Sequence, residues 1–318
     1  MSLLADVPGF LQVFSDGSVK RMAPEIAPNS TESSTRYKSK DVVIDALKPI
    51  TARLFVPSSL SFTSPVLVYF HGGGFCIGST TWFGYHHFLG DLCAAAGCIV
   101  LSVDYRLAPE HRLPVAYQDC YSSLEWLSCS CRTRTEPWLE RADISCLFLS
   151  GDSAGANIAH QVAVMTTRVP VTGIQVRGLM PIHPFFGSQR RTPEETAEGF
   201  AASCVAMNDL FWGLSIPEGS NRDYFGCNFE ATGMSAGEWA RFPSALVFVA
   251  GLDFLKERGL SYAEFMRERG VRGVELVEAE GEGHVYHVYH PESEATRMLQ
   301  KQMCEFMAAF DAQETRLV

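Results

Sequence analysis

Short apolar runs alternate with longer amphipathic stretches along this chain, and run length separates the two kinds of element they predict. Residues 42–45, 52–56, 66–70, 98–103, 146–150, 175–180, 245–250 and 274–277 are rich in β-branched and aromatic side chains at strand length, which predicts eight strands. From Val66 onward the runs are almost continuously apolar, as strands buried on both faces of a parallel sheet must be. Helix-length segments between them would cover both faces, giving an α/β architecture with a mostly parallel eight-stranded sheet and helices on both faces. The first two strands, joined by a turn around Lys48 and Pro49, read as an antiparallel start. Helices are expected at 154–165, 256–269 and 293–310. In the last of these Leu299, Met303, Phe306 and Phe310 recur at three- and four-residue steps, a stripe that packs against the sheet. Two segments fit this plan poorly: 1–40, with its Ser/Thr-rich stretch at 29–35, and 188–243, rich in Gly, Arg, Glu and Trp. Both are expected to form a cap over the sheet's C-terminal edge, within a single domain spanning 1–318.

Composition narrows the function classes. Of the 318 residues 47% are hydrophobic, enough for a large core, and the formal net charge is -10 with no long basic run. Such a balance argues against nucleic acid and anionic membranes as partners. No run of about 18 apolar residues occurs, and the opening stretch lacks a basic region and is interrupted by Asp6 and Pro8, so a cytoplasmic, unanchored protein is expected. The ten cysteines are scattered, several within apolar runs, as reduced core residues would be. Cys129 and Cys131 have no second pair to complete a zinc site, and no metal is implied.

Chemistry enters at residues 147–160, Leu-Phe-Leu-Ser-Gly-Asp-Ser-Ala-Gly-Ala-Asn-Ile-Ala-His. A G-x-S-x-G pattern alone is weak, but this one follows an apolar strand and opens a helix, the context a strained nucleophile turn requires. Gly151 and Gly155 would permit the tight turn and a close helix–strand approach, leaving the Ser153 hydroxyl at a helix N-terminus. The second signal, His71-Gly72-Gly73-Gly74-Phe75, directly follows a strand. Its glycines can turn amide N–H groups into a cavity, and the N–H groups of Gly73, Gly74 and Ala154 are the expected oxyanion donors.

A serine hydroxyl needs a base, and the base needs an acid to hold one tautomer. Asp253 follows the strand at 245–250, and His284 follows the next strand on the loop Gly281-Glu282-Gly283, so both fall at the sheet's functional edge in the order Ser, Asp, His. His287 is the alternative base, and with His284 and His290 it superficially resembles a metal cluster that no carboxylate or thiolate completes. Asp143 precedes the nucleophile strand and so lies at the wrong end. His86, His87, His111, His160 and His183 read as structural, His183 being the one placed to approach the pocket.

Together, residues 71–75, the run 104–114 (Asp-Tyr-Arg-Leu-Ala-Pro-Glu-His-Arg-Leu-Pro), 151–160, 251–253 and 281–284 resemble the plant carboxylesterases of the hormone-sensitive-lipase-like group, over about 8–310. The resemblance implies the α/β-hydrolase fold, a cap partly formed by the N-terminal segment, a Ser153–Asp253–His284 triad, and cofactor-free hydrolysis of short acyl or aryl esters. That group also contains gibberellin receptors and enzymes of specialised metabolism, including dehydratases and transesterases, so fold alone does not settle function. The receptors replace the histidine that stands here as His284. Phe254 departs from the family, where many relatives carry proline beside the acid. Arg106 is expected to be buried and paired with a carboxylate that braces the loops.

The expected partner is a small-molecule ester, acted on by a monomer or weak homodimer. Phe75, Ile182, His183, Phe185, Phe186, Phe211, Trp212, Leu214 and Val285 are candidates for an apolar pocket suited to an acyl or aryl group of modest size. The rate should rise with pH through an apparent pKa of roughly 6 to 7, that of a histidine.

Overall fold

The computed structural model describes residues 2–30, 36–59, 63–198 and 200–314; most of the Ser/Thr-rich stretch, 31–35, lies outside them. Its centre is an eight-stranded sheet of order β11-β10-β9-β8-β6-β7-β5-β4. The strands are β4 (Tyr37–Asp45), β5 (Ile50–Pro57), β6 (Ser64–Phe70), β7 (Ile99–Asp104), β8 (Ala142–Asp152), β9 (Val176–Ile182), β10 (Ser244–Ala250) and β11 (Val274–Ala279). Each coincides with an expected strand. β4 pairs antiparallel with β5, and β5 with β7, while every pair from β7 across to β11 is parallel.

The near-continuous hydrophobicity of the central strands has its cause in two cores. Val66, Val68 and Phe70 of β6 enter one hydrophobic cluster, and the intervening Leu67 and Tyr69 enter the other. The first core is closed by α2 (Val115–Thr133), α3 (Ala154–Arg168) and α6 (Lys256–Glu268), and the second by α1 (Phe83–Ala96) and α8 (Glu294–Glu314). α8 buries Leu299, Met303 and Phe306, the stripe its spacing indicated. A short helix, α7 (Tyr286–Tyr289), lies between β11 and α8.

The two segments outside the sheet plan both divide. Residues 37–40 belong to β4, the sheet's edge, because they continue its antiparallel pairing with β5. The chain ahead of them forms a separate three-stranded antiparallel sheet, β1 (Leu3–Val7), β2 (Leu11–Phe14) and β3 (Val19–Arg21), which was not expected. Its inward residues Ala5, Val7, Leu11 and Val13 alternate as strands require, and they pack on Cys76, Ile77 and Ala108. Between β9 and β10, α4 (Phe200–Ser215) leans on that same cluster through Met207, Leu210, Phe211 and Leu214. Residues 216–243, including α5 (Ala236–Trp239), instead pack beside the body: Phe229 and Trp239 meet Phe265 of α6, and Arg168 of α3 donates to the carbonyls of Thr232 and Gly233.

Arg106 does make the expected brace, gripping Asp119 at 2.9 and 2.7 Å, but the buried partner is Asp119 and the guanidinium is partly exposed. Every cysteine is a free thiol, and Cys129 lies exposed on the end of α2.

Candidate active site

Ser153 sits between β8 and α3 at φ 52°, ψ -116°, a strained backbone for any residue other than glycine. The turn is held from both sides: the Ser153 N–H donates to Ile182 at 2.9 Å, and the Phe185 N–H donates to the Ser153 carbonyl at 3.1 Å. The flanking glycines are required by contact. A Cβ at Gly151 would lie 2.5 Å from the Phe70 carbonyl oxygen, and one at Gly155 would fall on that same oxygen. The turn therefore aims the hydroxyl out of the sheet's C-terminal edge while α3 packs tightly against β6.

Three distant side chains converge there. His284 Nε2 lies 3.0 Å from Ser153 Oγ, and its Nδ1 lies 2.7 Å from Asp253 Oδ2. With Nδ1–H donating to the carboxylate, Nε2 is left to accept the serine proton. Asp253 is buried and also accepts the Leu255 N–H at 2.9 Å, which fixes its plane. Burial pulls the His284 imidazole down, but the Asp253 charge and hydrogen bond outweigh it and the net shift is upward. For Asp253 burial pushes upward and the histidine outweighs it, so the carboxyl sits below its usual range.

The glycine loop borders the same space, with Gly73 at φ 104° and Gly74 at φ 57° beside Ser153 on the cavity wall. Ala154 is the first residue of α3, where helix geometry leaves the N–H without an intrahelical acceptor. His71 itself is bracing: its Nδ1 donates to the Gly72 carbonyl at 2.8 Å, and its ring stacks on Tyr105 at 4.4 Å. Behind the loop, the buried Asp152 carboxylate accepts the Gly72 N–H at 3.0 Å and the hydroxyls of Tyr69 and Tyr85 at 2.8 and 3.0 Å.

His287 is not placed to act as the base. It is wholly buried, its Nε2 faces the Tyr69 hydroxyl at 3.3 Å, and burial holds its pKa well below that of an ordinary histidine. His183 does approach the site, from behind: its Nδ1 accepts the Val285 N–H at 2.9 Å, tethering the residue after His284. Donor atoms of His183, Asp253 and His284 lie within 4.8 Å of one another. Nδ1 of each imidazole is already committed, to the Val285 amide and to Asp253.

A cavity of about 660 Å³ opens above Ser153. Of the residues expected to line it, Phe185, Phe211 and Val285 do. Phe75, Ile182, His183, Phe186, Trp212 and Leu214 do not. Phe75 and Trp212 pack on each other in the core at 5.5 Å, Phe186 packs on Tyr262, and Ile182 points into the opposite core. Leu214 packs toward the N-terminal sheet. The wall is built instead from Val7 and Phe10 of the N-terminal segment, Trp82 and Phe83 at the start of α1, and Tyr289 of α7. Phe254, the departure from the family pattern, also lines it, with its ring 6.3 Å from that of His284. Cys204, Met207, Asn208 and Phe211 of α4 complete the wall. Their i, i+3, i+4, i+7 spacing marks one helical face and was the available signal for them.

A family model described as alpha/beta hydrolase fold matches residues 67–288. The chain is 34% identical to "Probable carboxylesterase 6" of Arabidopsis thaliana, covering 95% of this chain and 90% of the relative. It is 33% identical to "2-hydroxyisoflavanone dehydratase" of Glycyrrhiza echinata, covering 95% of each. A solved fungal esterase from Rhizomucor miehei superposes with a TM-score of 0.73 at 22% identity, over 87% of this chain and 84% of the other, a likeness of fold.

Proposed function

The chain belongs to the α/β-hydrolase fold family and is carboxylesterase-like, and on that premise we propose that it hydrolyses carboxylic esters through a Ser153 acyl-enzyme. The observation that carries the reading is the convergence of Ser153, His284 and Asp253 at 3.0 and 2.7 Å. Neutral His284 takes the Ser153 proton as Oγ bonds to the ester carbonyl carbon. The N–H groups of Gly73, Gly74 and Ala154 receive the negative charge that develops on the carbonyl oxygen. The carbon–alkoxy bond then breaks, and the alcohol leaves with the proton held by His284. Water repeats the sequence on the acyl-enzyme, releasing the carboxylic acid and restoring the serine.

The N-terminal sheet and α4 act in this reading as the cap, because residues of both line the cavity over Ser153. The site gives the cleavage no need of a cofactor. Ser153→Ala tests it: turnover of 4-nitrophenyl acetate and labelling by a fluorophosphonate should both be abolished in a protein whose circular dichroism is unchanged. Undiminished hydrolysis by the variant would overturn the assignment.

The similarity to a dehydratase favours one second reading, in which the same serine and histidine serve an elimination. Product analysis separates these outcomes, since hydrolysis alone incorporates solvent oxygen into the released acid.

A further inference from the structure

The charge of the cavity is as informative as its shape. Among the described residues that line it none is Lys or Arg, while Glu25 stands on the N-terminal wall and the buried Asp152 lies at the floor. His284 is the one lining group that forms a cation among the described residues, and Asp253 holds it. Glu25 is exposed and lines the cavity together with Phe10, Trp82 and Phe83. Its carbonyl accepts the Phe83 N–H at 2.9 Å, and Ile26 beside it forms a β-bridge with Trp82. The Trp82 ring in turn lies 6.3 Å from that of Phe10, and all three aromatic residues line the cavity.

A cavity wall that carries a carboxylate and aromatic rings attracts an ammonium group, accepts an uncharged aryl group and repels a second carboxylate. We infer that Glu25 is a specificity-determining residue, and that the site takes uncharged and cationic aryl esters and rejects esters bearing a carboxylate. This rests on the esterase reading above. Negative charge also develops on the substrate during attack, so a carboxylate elsewhere on it adds to a charge that no lysine or arginine among the described wall residues offsets.

The test compares the acetates of 4-cresol, 4-hydroxybenzoate and 4-(trimethylammonio)phenol, with each kcat/KM divided by the ester's own hydroxide-catalysed rate constant to remove leaving-group differences. The normalised value for the cationic ester should exceed that for the anionic ester by about tenfold or more. Glu25→Gln should narrow that ratio by about threefold or more, and so should about 0.5 M NaCl, because the group is exposed and its field is screened. Glu25→Lys should narrow it further. A ratio near one in the wild type, or one that Glu25→Gln and Glu25→Lys both leave unchanged, overturns the inference while hydrolysis of the cresyl ester still upholds the esterase reading. Failure to hydrolyse any of the three esters overturns the esterase reading itself.

Discussion

Arg21, the last residue of β3, donates from Nε to the carbonyl of Cys76 at 2.7 Å. Its Nη2 reaches the Ala108 carbonyl at 2.8 Å, and the two Nη atoms grip Glu110 at 2.7 and 2.6 Å. The Cys76 N–H donates back to the Gly73 carbonyl at 3.0 Å. One guanidinium thus ties the N-terminal sheet to the loop that carries the expected oxyanion donors. A planar fork can meet these acceptors together, whereas a lysine ammonium on a single stem cannot. Arg21→Ala is expected to lower kcat/KM for an aryl ester about tenfold, and Arg21→Lys to recover only part of that loss. Steady-state kinetics on the two variants checks this, and a wild-type Arg21→Lys would show that charge alone, rather than the fork, sets the joint.

The acid limb of the pH profile follows from the charge on Asp253. Neutral imidazole is the active form, and the His284 pKa is raised above the ordinary 6.5 although burial pulls it down. Activity should therefore be lost on acidification at a pH above that of an unperturbed histidine. Asp253→Asn removes the charge that raises the pKa and leaves the burial that lowers it, so the limb should move to lower pH. The same variant should reduce kcat by on the order of 10⁴, by analogy with the serine-protease triad. A kcat/KM profile from pH 5 to 9 on both proteins measures the shift, and an upward shift in the variant contradicts the electrostatic account.

Asp152 lies beside the nucleophile in sequence but is satisfied away from it, by Tyr69, Tyr85 and the Gly72 N–H. Gly72 also donates to the Tyr85 hydroxyl at 2.9 Å, so the phenol and the carboxylate share the glycine loop's first amide. Tyr85→Phe removes one donor and one acceptor while the Gly72 N–H keeps Asp152, for a cost of about 1–2 kcal/mol. Asp152→Ala removes the carboxylate that accepts from two buried hydroxyls, leaving the Gly72 amide to Tyr85 alone, and should cost about 3 kcal/mol or more. Urea melts with a common m-value give the comparison, and equal costs would mean that Tyr85 alone carries the loop.

What could be read from the chain alone follows from how each part is selected. The sheet strands were legible because burial on both faces demands unbroken apolar runs, as Val66–Phe70 illustrates with its division between two cores. Ser153, Asp253 and His284 were legible because each follows a strand that ends at one edge. The N-terminal sheet was not, since β1 and β2 are only 5 and 4 residues long and Asp6, Pro8 and Gly9 interrupt their apolar pattern. The cavity wall was not legible either, because an aromatic identity does not say what the ring faces. Phe75 and Trp212 are as apolar as Phe211, yet they fill the core. The inner face of α4 mixes Cys204 and Asn208 with Met207 and Phe211, as a helix facing open space can and a core helix rarely does.

The two glycines of the loop should respond differently to the same substitution, because different atoms crowd them. At Gly74, φ 57° lies in the left-handed region, and an added Cβ would fall on the side chain of Phe211 in α4. At Gly73, φ 104° is likewise a positive angle that strains any side chain, and the added Cβ would fall on the Ile77 backbone carbonyl. Gly74→Ala therefore suffers a clash that a second substitution can relieve, together with a backbone cost of about 1–2 kcal/mol that it cannot. Phe211→Ala should restore part of the activity and stability lost in Gly74→Ala, with a coupling of about 1 kcal/mol or more in a double-mutant cycle. The same truncation should do nothing for Gly73→Ala, whose obstruction is main chain. If Phe211→Ala rescues both variants equally, or neither, then α4 does not rest on the loop through that ring.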